Sequence, residues 1–391
     1  MPASNDDQNL RDTLNRLAQK DATVTERETA RGELAAFAGS FNAASSPTAQ
    51  ALVEALPFIT DYGSRWIAAR MLRDAALKDP ELFGGRTPQI LYNTFAGSDA
   101  GSRYMVAGLI RDIGFAQDRQ AVPAAAAIAT LLATETDAYA KSYQKDALLG
   151  LALKNEATAS IAVDAIAKLI VTETDSYARV AAAQNLGQLG ATYPSQATAA
   201  IKALQAAALH ETDGLAAHKI AENIASIALT HTSAVPVALT ALQAGFAKGG
   251  RIESLSGNAN ALARLAVKHP AAVATILDKQ LQEGGTRDQR RLAILNLKTI
   301  AQQDHTGAAI ATPVLLDALK RETEPLYRRH IADGLMAAVE NRIEPKPVLA
   351  AFKAAQEKET DRETRDHFDR AMRRLGYVRP YAANVLKLQP A

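Results

Sequence analysis

The chain has 391 residues, 48% hydrophobic and 22% charged, with a formal net charge of +2 and no cysteine. That length exceeds the roughly 250–300 residues at which a single core stops growing, so it implies several domains or an elongated repeat array. The lack of cysteine excludes disulfides, thiolate zinc sites and cysteine nucleophiles, and the near-neutral charge gives no reason to expect nucleic acid or membrane.

The first residues, MPASNDDQNLRD, lack the basic and apolar segments of a secretory signal. The longest apolar run, Val122 to Ala133, is too short for a membrane span and contains a proline. A soluble, cytoplasmic protein is therefore expected. Much of the apolar content is alanine and only 5% of residues are aromatic, a bias toward helix over strand.

Along the chain one tripeptide keeps returning. ETD begins at Glu135, Glu173, Glu211 and Glu359, and ETE begins at Glu322. With the threonine as origin, Thr136, Thr174 and Thr212 lie 38 residues apart. Similar steps backward reach Ser98, Thr60 and Thr23. Steps forward reach Gly250, Thr286, Thr323 and Thr360. About ten copies cover nearly the whole chain, the signature of a helical repeat array.

Each copy predicts two helices. Residues 157–172 place Ile166, Leu169 and Ile170 on one face, and residues 195–209 do so with Ile201, Leu204 and Ala208. After the tripeptide, Tyr177 to Gly190 turns Ala178, Ala181, Ala182, Leu186 and Leu189 inward. The threonine is placed as the N-cap, and Thr360 with Glu363 and Thr286 with Gln289 complete capping boxes. Five positions past the origin stand Arg65, Arg103, Lys141, Arg179, Arg291, Arg328 and Arg365. Paired with the glutamate before the origin (Glu173–Arg179, Glu135–Lys141, Glu322–Arg328, Glu359–Arg365), or reaching the next copy's acidic turn, they make the tripeptide a joint of the scaffold.

The acidic turn, the basic residue and a second helix ending in Gly-x-Leu-Gly (RVAAAQNLGQLG, residues 179–190) resemble a HEAT repeat. The short, alanine-rich form is similar to the HEAT-like repeats of phycobilin lyases. The resemblance implies an all-α, right-handed α-solenoid (superhelix) of about ten two-helix repeats over residues 1–376. It also implies that the second helices line the concave side. Residues 377–391 are then a C-terminal tail, with Tyr381–Leu388 folding back as a cap. The copy at residues 245–270 is irregular: it lacks ETD, and Gly257 and two asparagines weaken its second helix. It reads as a degenerate repeat or as a hinge.

Catalytic signatures are sparse. His210–Glu211 is a His-Glu dyad of the sort that HEAT-like deoxyhypusine hydroxylases use for iron, but it stands alone and its glutamate belongs to the joint. No phosphate loop, nucleophile elbow or zincin helix occurs, and His218, His231, His269, His305, His330 and His367 show no paired spacing with carboxylates. No cofactor, metal or catalytic residue is expected.

Ten positions past each origin stand Glu33, Arg70, Gly108, Asp146, Gln184, Glu222, Asn260, Asn296, Asp333 and Arg370, a polar ladder expected along the concave groove. Trp66 and Tyr104 lie beside it in adjacent copies, with Arg73 and Arg111 near Asp74 and Asp112. Aromatics flanked by arginine have hot-spot composition, though Trp66 and Tyr104 read equally as packing between helices. At the C-terminal end, Arg370, Arg373, Arg374 and Arg379 cluster, but Asp361, Glu363, Asp366 and Asp369 share their helix, which argues against a nucleic-acid site. The reading is a non-catalytic scaffold or adaptor with a protein or peptide in its groove. A HEAT-like enzyme of the bilin lyase type or a nucleic-acid-binding HEAT-like protein stands as the alternative.

Overall fold

A computed structural model describes residues 5–40, 46–249 and 252–376, and among them it contains twenty α-helices and no strand. They fall into ten pairs. The first five are α1 (Asn5–Ala18) with α2 (Val24–Ser40), α3 (Ser46–Ala55) with α4 (Tyr62–Lys78), α5 (Thr87–Phe95) with α6 (Ala100–Ala116), α7 (Asp118–Thr134) with α8 (Ala138–Lys154), and α9 (Ala159–Thr172) with α10 (Ser176–Thr192). The rest are α11 (Pro194–His210) with α12 (Gly214–Thr230), α13 (Val235–Lys248) with α14 (Ile252–Ala266), α15 (Pro270–Gln282) with α16 (Arg287–Gln303), α17 (His305–Arg321) with α18 (Pro325–Glu340), and α19 (Pro345–Lys358) with α20 (Arg362–Arg374). Gly250, the expected seventh origin, and the tail 377–391 with Arg379 lie outside the described residues.

The chain divides into two compact units, residues 1–200 and 201–391. In the first, the second helices α2, α4, α6, α8 and α10 pack side by side as one layer, and α5, α7 and α9 form the other. In the second, α12, α14, α16, α18 and α20 form one layer and α13, α15, α17 and α19 the other. Each unit is thus a stretch of all-α helical-repeat solenoid.

The core runs between the layers. Ile166, Leu169, Ile170, Ala182, Leu186 and Leu189 are buried as the periodicity predicts. On α11, Ala207 is buried and the expected Ala208 is only half-buried. Alanine lets neighbouring helices come close: Ala68, Ala75, Ala147, Ala182 and Ala293 are all buried on second helices. The irregular repeat packs the same way, because a Cβ on Gly257 would lie 2.6 Å from the His218 Cα and one on Gly214 would lie 2.7 Å from the Glu253 Cβ.

The tripeptide divides its work differently from expectation. In ETD, and in ITD and GSD at the same place of earlier copies, the cap is the aspartate: Asp61, Asp99, Asp137, Asp175, Asp213 and Asp361 each accept the backbone N–H three residues on, at 2.7 to 3.0 Å. Thr360 therefore makes no capping box with Glu363. Thr286 does with Gln289, and Thr23 does the same with Glu26. The helix start selects whichever short oxygen-bearing side chain has extended backbone beside the first free N–H groups, and a charged aspartate accepts the stronger bond.

The glutamate ties the turn. Its Oε1 accepts the two following backbone N–H groups in the turns at Glu135, Glu173, Glu211 and Glu322. Its other oxygen receives a cation from the preceding repeat: Arg103 Nε on Glu135 at 2.8 Å, Lys141 on Glu173 at 3.1 Å, Arg290 on Glu322 at 3.1 Å and Arg328 on Glu359 at 3.0 Å. The within-repeat pairs take another form. Arg179 and Arg365 donate to the backbone carbonyls of Glu173 and Glu359, which anchors each guanidinium to its own turn. Where threonine is the cap the register moves back by one residue, so Arg290, not Arg291, holds the joint.

Candidate functional site

On the first unit, the outer face of the second helices carries an aromatic and arginine cluster. Tyr104 on α6 stacks on Tyr139 of α8, with centroids 5.2 Å apart, and lies 4.1 Å from the Tyr143 ring. Arg111 sits 5.7 Å over Tyr143 and 3.0 Å from Asp112. Arg73, one repeat earlier, bridges Asp74 at 2.6 Å and Asp112 at 3.2 Å. The Tyr143 hydroxyl fills the space over Gly108, where a Cβ would meet it at 2.8 Å. Trp66 is half-buried beside exposed Arg70. Tyr139 is 71% exposed and, one repeat on, Tyr177 is 74% exposed.

The ladder breaks up by register. Gln184, Asp146 and Arg70 are exposed on the first unit; Asp146 has Lys145 at 3.3 Å. On the second unit Asn260 and Arg370 are exposed, and Glu222 is paired with Lys219 at 2.8 Å. Asn296 is buried, donating to the Leu292 carbonyl, so it is not a groove residue. Glu33 turns to Arg16 and Thr13 on α1. Both misplacements have the one-residue shift of the threonine-capped repeats as their cause.

Asp333 is not open to a basic ligand as expected. Its Oδ2 accepts from Lys298 Nζ at 3.0 Å, and its Oδ1 lies 2.9 Å from His367 Nε2. Burial by itself raises the pKa of this carboxyl, but the hydrogen bonds from His367 and Lys298 outweigh it and bring it down to about 2. Burial, with Lys298 nearby, lowers the pKa of His330 on the same helix. His367 thus has a carboxylate partner that local spacing hid, because Asp333 is 34 residues away. Sequence reading also missed Tyr139 and Tyr143, although their i, i+4 spacing on α8 one repeat after Tyr104 was visible.

Of the His210–Glu211 pair, Glu211 Oε1 accepts two backbone N–H groups of its own turn. Among the described residues no group of three His, Asp or Glu side chains is disposed to hold a metal ion, and no helix is long and apolar enough to cross a membrane.

No protein-family model and no curated protein matches the sequence. Solved structures match its fold at low identity. An engineered protein is 18% identical, covering 94% of this chain and 99% of its own, with a TM-score of 0.40. The karyopherin Kap121p, bound to the extreme C-terminus of the phosphatase Cdc14p, is 10% identical over 95% of this chain, with a TM-score of 0.48. This chain spans 42% of that karyopherin's length. The TSC2 N-terminus is 12% identical, covering 96% of this chain and all of its own, with a TM-score of 0.44. Likeness at this level carries nothing about activity.

Proposed function

We propose that the chain is a non-catalytic scaffold that holds a protein or peptide along the outer face of its second helices. The observation that carries this reading is the cluster of Tyr104, Tyr139 and Tyr143 with Arg73 and Arg111, flanked by Trp66 and Arg70. Rigid aromatic rings backed by arginine bury large area at little entropic cost, the composition of an interface hot spot. A ring 71% exposed yet stacked on its neighbour is held ready for a partner.

The test is a tagged pull-down with mass spectrometry from a lysate of the source organism, comparing wild type with a Trp66→Ala, Arg70→Ala, Tyr104→Ala variant of unchanged circular dichroism. A defined protein captured by wild type and lost from the variant is expected. Equal capture by both, or co-purifying pigment or nucleic acid in place of a protein, would overturn the reading.

A further inference from the structure

Within the second unit, α16, α18 and α20 enclose a recess of about 370 Å³. Its ionisable lining is Lys298, Asp333, Glu340, His367, Arg370 and Arg374, and Met336 with two alanines gives it an apolar wall. Both carboxylates are already answered. Asp333 lies between Lys298 at 3.0 Å and His367 at 2.9 Å, and Glu340 pairs with Arg374 at 2.7 Å. Arg370 is exposed and has no partner among the described residues. An ammonium carries three N–H donors, and Lys298 spends one on Asp333. The lining therefore sets Lys298, Arg370 and Arg374 against two carboxylates, one cation in excess, with unspent donors on Arg370 and Lys298.

A cationic ligand would face the unpaired Arg370 guanidinium and carboxylates that already hold Lys298, His367 and Arg374. A carboxylate completes the set: a guanidinium grips it with two parallel hydrogen bonds. The volume is at the small end of ligand sites and suits one side chain with its neighbour, not a cofactor. Methionine is the residue best able to adapt to a varied apolar neighbour.

We propose that this recess binds one carboxylate of an acidic peptide, clamped by Arg370 with Lys298 beside it and with the adjoining apolar residue against Met336. The inference deepens, and rests on, the reading of the second-helix face as a binding surface. The carboxylate can come from an aspartate or glutamate side chain or from a peptide's C-terminus.

Five methionines make methyl NMR of the full chain, labelled with ¹³C-methyl-methionine, a direct test. Met336 reports on the recess, and Met105, whose sulfur lies 2.6 Å from the Tyr62 hydroxyl, reports on the aromatic face of the first unit. The probes are a doubly capped hexapeptide with a central leucine–glutamate pair, its glutamine counterpart, and the glutamine peptide with a free C-terminal carboxylate. The glutamate peptide is expected to shift Met336 saturably and leave Met105 still, and the free-carboxylate peptide reveals whether a chain end serves as well. Arg370→Ala should weaken the Met336 titration at least tenfold, with the other methionine signals in place. Equal shifts from the capped glutamine peptide, equal binding by Arg370→Ala, or no movement of Met336 would overturn the proposal. If Met336 stays silent while the pull-down still loses a protein with the Trp66, Arg70, Tyr104 variant, only the carboxylate site falls.

Discussion

Arg103 leaves one repeat and closes on Glu135 of the next: Nε lies 2.8 Å from Oε2 and Nη2 2.5 Å from Oε1. The glutamate side chain is fully buried and also takes the Gln144 amide at 2.9 Å and two backbone N–H groups. One side chain thereby sets the turn within a repeat and the spacing between repeats. Removing it leaves Arg103 poorly answered at a largely dry joint, so Glu135→Ala should cost about 3 kcal/mol. The exposed pair Arg119–Glu81 should cost no more than about 0.5 kcal/mol on Glu81→Ala. Urea unfolding of both variants measures the contrast.

Acid should loosen each unit from its own carboxylate. Glu135 is held down to about 2 by Arg103, the turn N–H groups and Gln144 against the opposing effect of burial. Asp333 is held down to about 2 with Lys298 on α16 and His367 on α20 facing it, and with His330 and Arg370 nearby. Because both values lie below the ordinary carboxylate range, the folded state binds fewer protons than the unfolded one. Their stabilisation is complete above about pH 5 and is lost as the pH falls toward 2. Denaturant titrations at pH 6, 4 and 2.5 should show that loss, and Asp333→Asn should reduce its size.

Two glycines should respond to alanine in opposite senses. Gly257→Ala puts a methyl group 2.6 Å from the His218 Cα, where only movement of the backbone relieves the clash, and should destabilise by about 1–3 kcal/mol. Gly32 is inside α2 with nothing within 4 Å of a Cβ, so Gly32→Ala should stabilise by about 0.5–1 kcal/mol through helix propensity. Thermal melts give both signs.

The caps offer a graded series. Asp175→Ala removes the carboxylate that receives the Ala178 N–H at 2.8 Å and should cost about 1 kcal/mol. Thr174→Ala, one residue earlier, should cost less than half of that, because the threonine does not cap. If threonine proved the costlier loss in urea unfolding, the cap assignment would be wrong.

The recurrence of ETD, the alternating apolar faces of residues 157–190 and the abundance of alanine were enough to determine a helical-repeat array of ten pairs. Those signals are local: a period survives in one dimension, and a helix's buried face follows from its own spacing. The role of the tripeptide as a joint was legible for the same reason. Which atom met which was decided only by tertiary structure. Arg103 and Glu135 are 32 residues apart, Asp333 and His367 34, and the side chain that fills the space over Gly108 comes from the neighbouring helix. A fixed column counted from threonine put Asn296 in a groove, whereas the folded helix buries it, because the helix begins at whichever side chain caps it. Contacts between repeats depend on that start and on how closely alanine and glycine let helices approach, and neither quantity is carried by spacing alone.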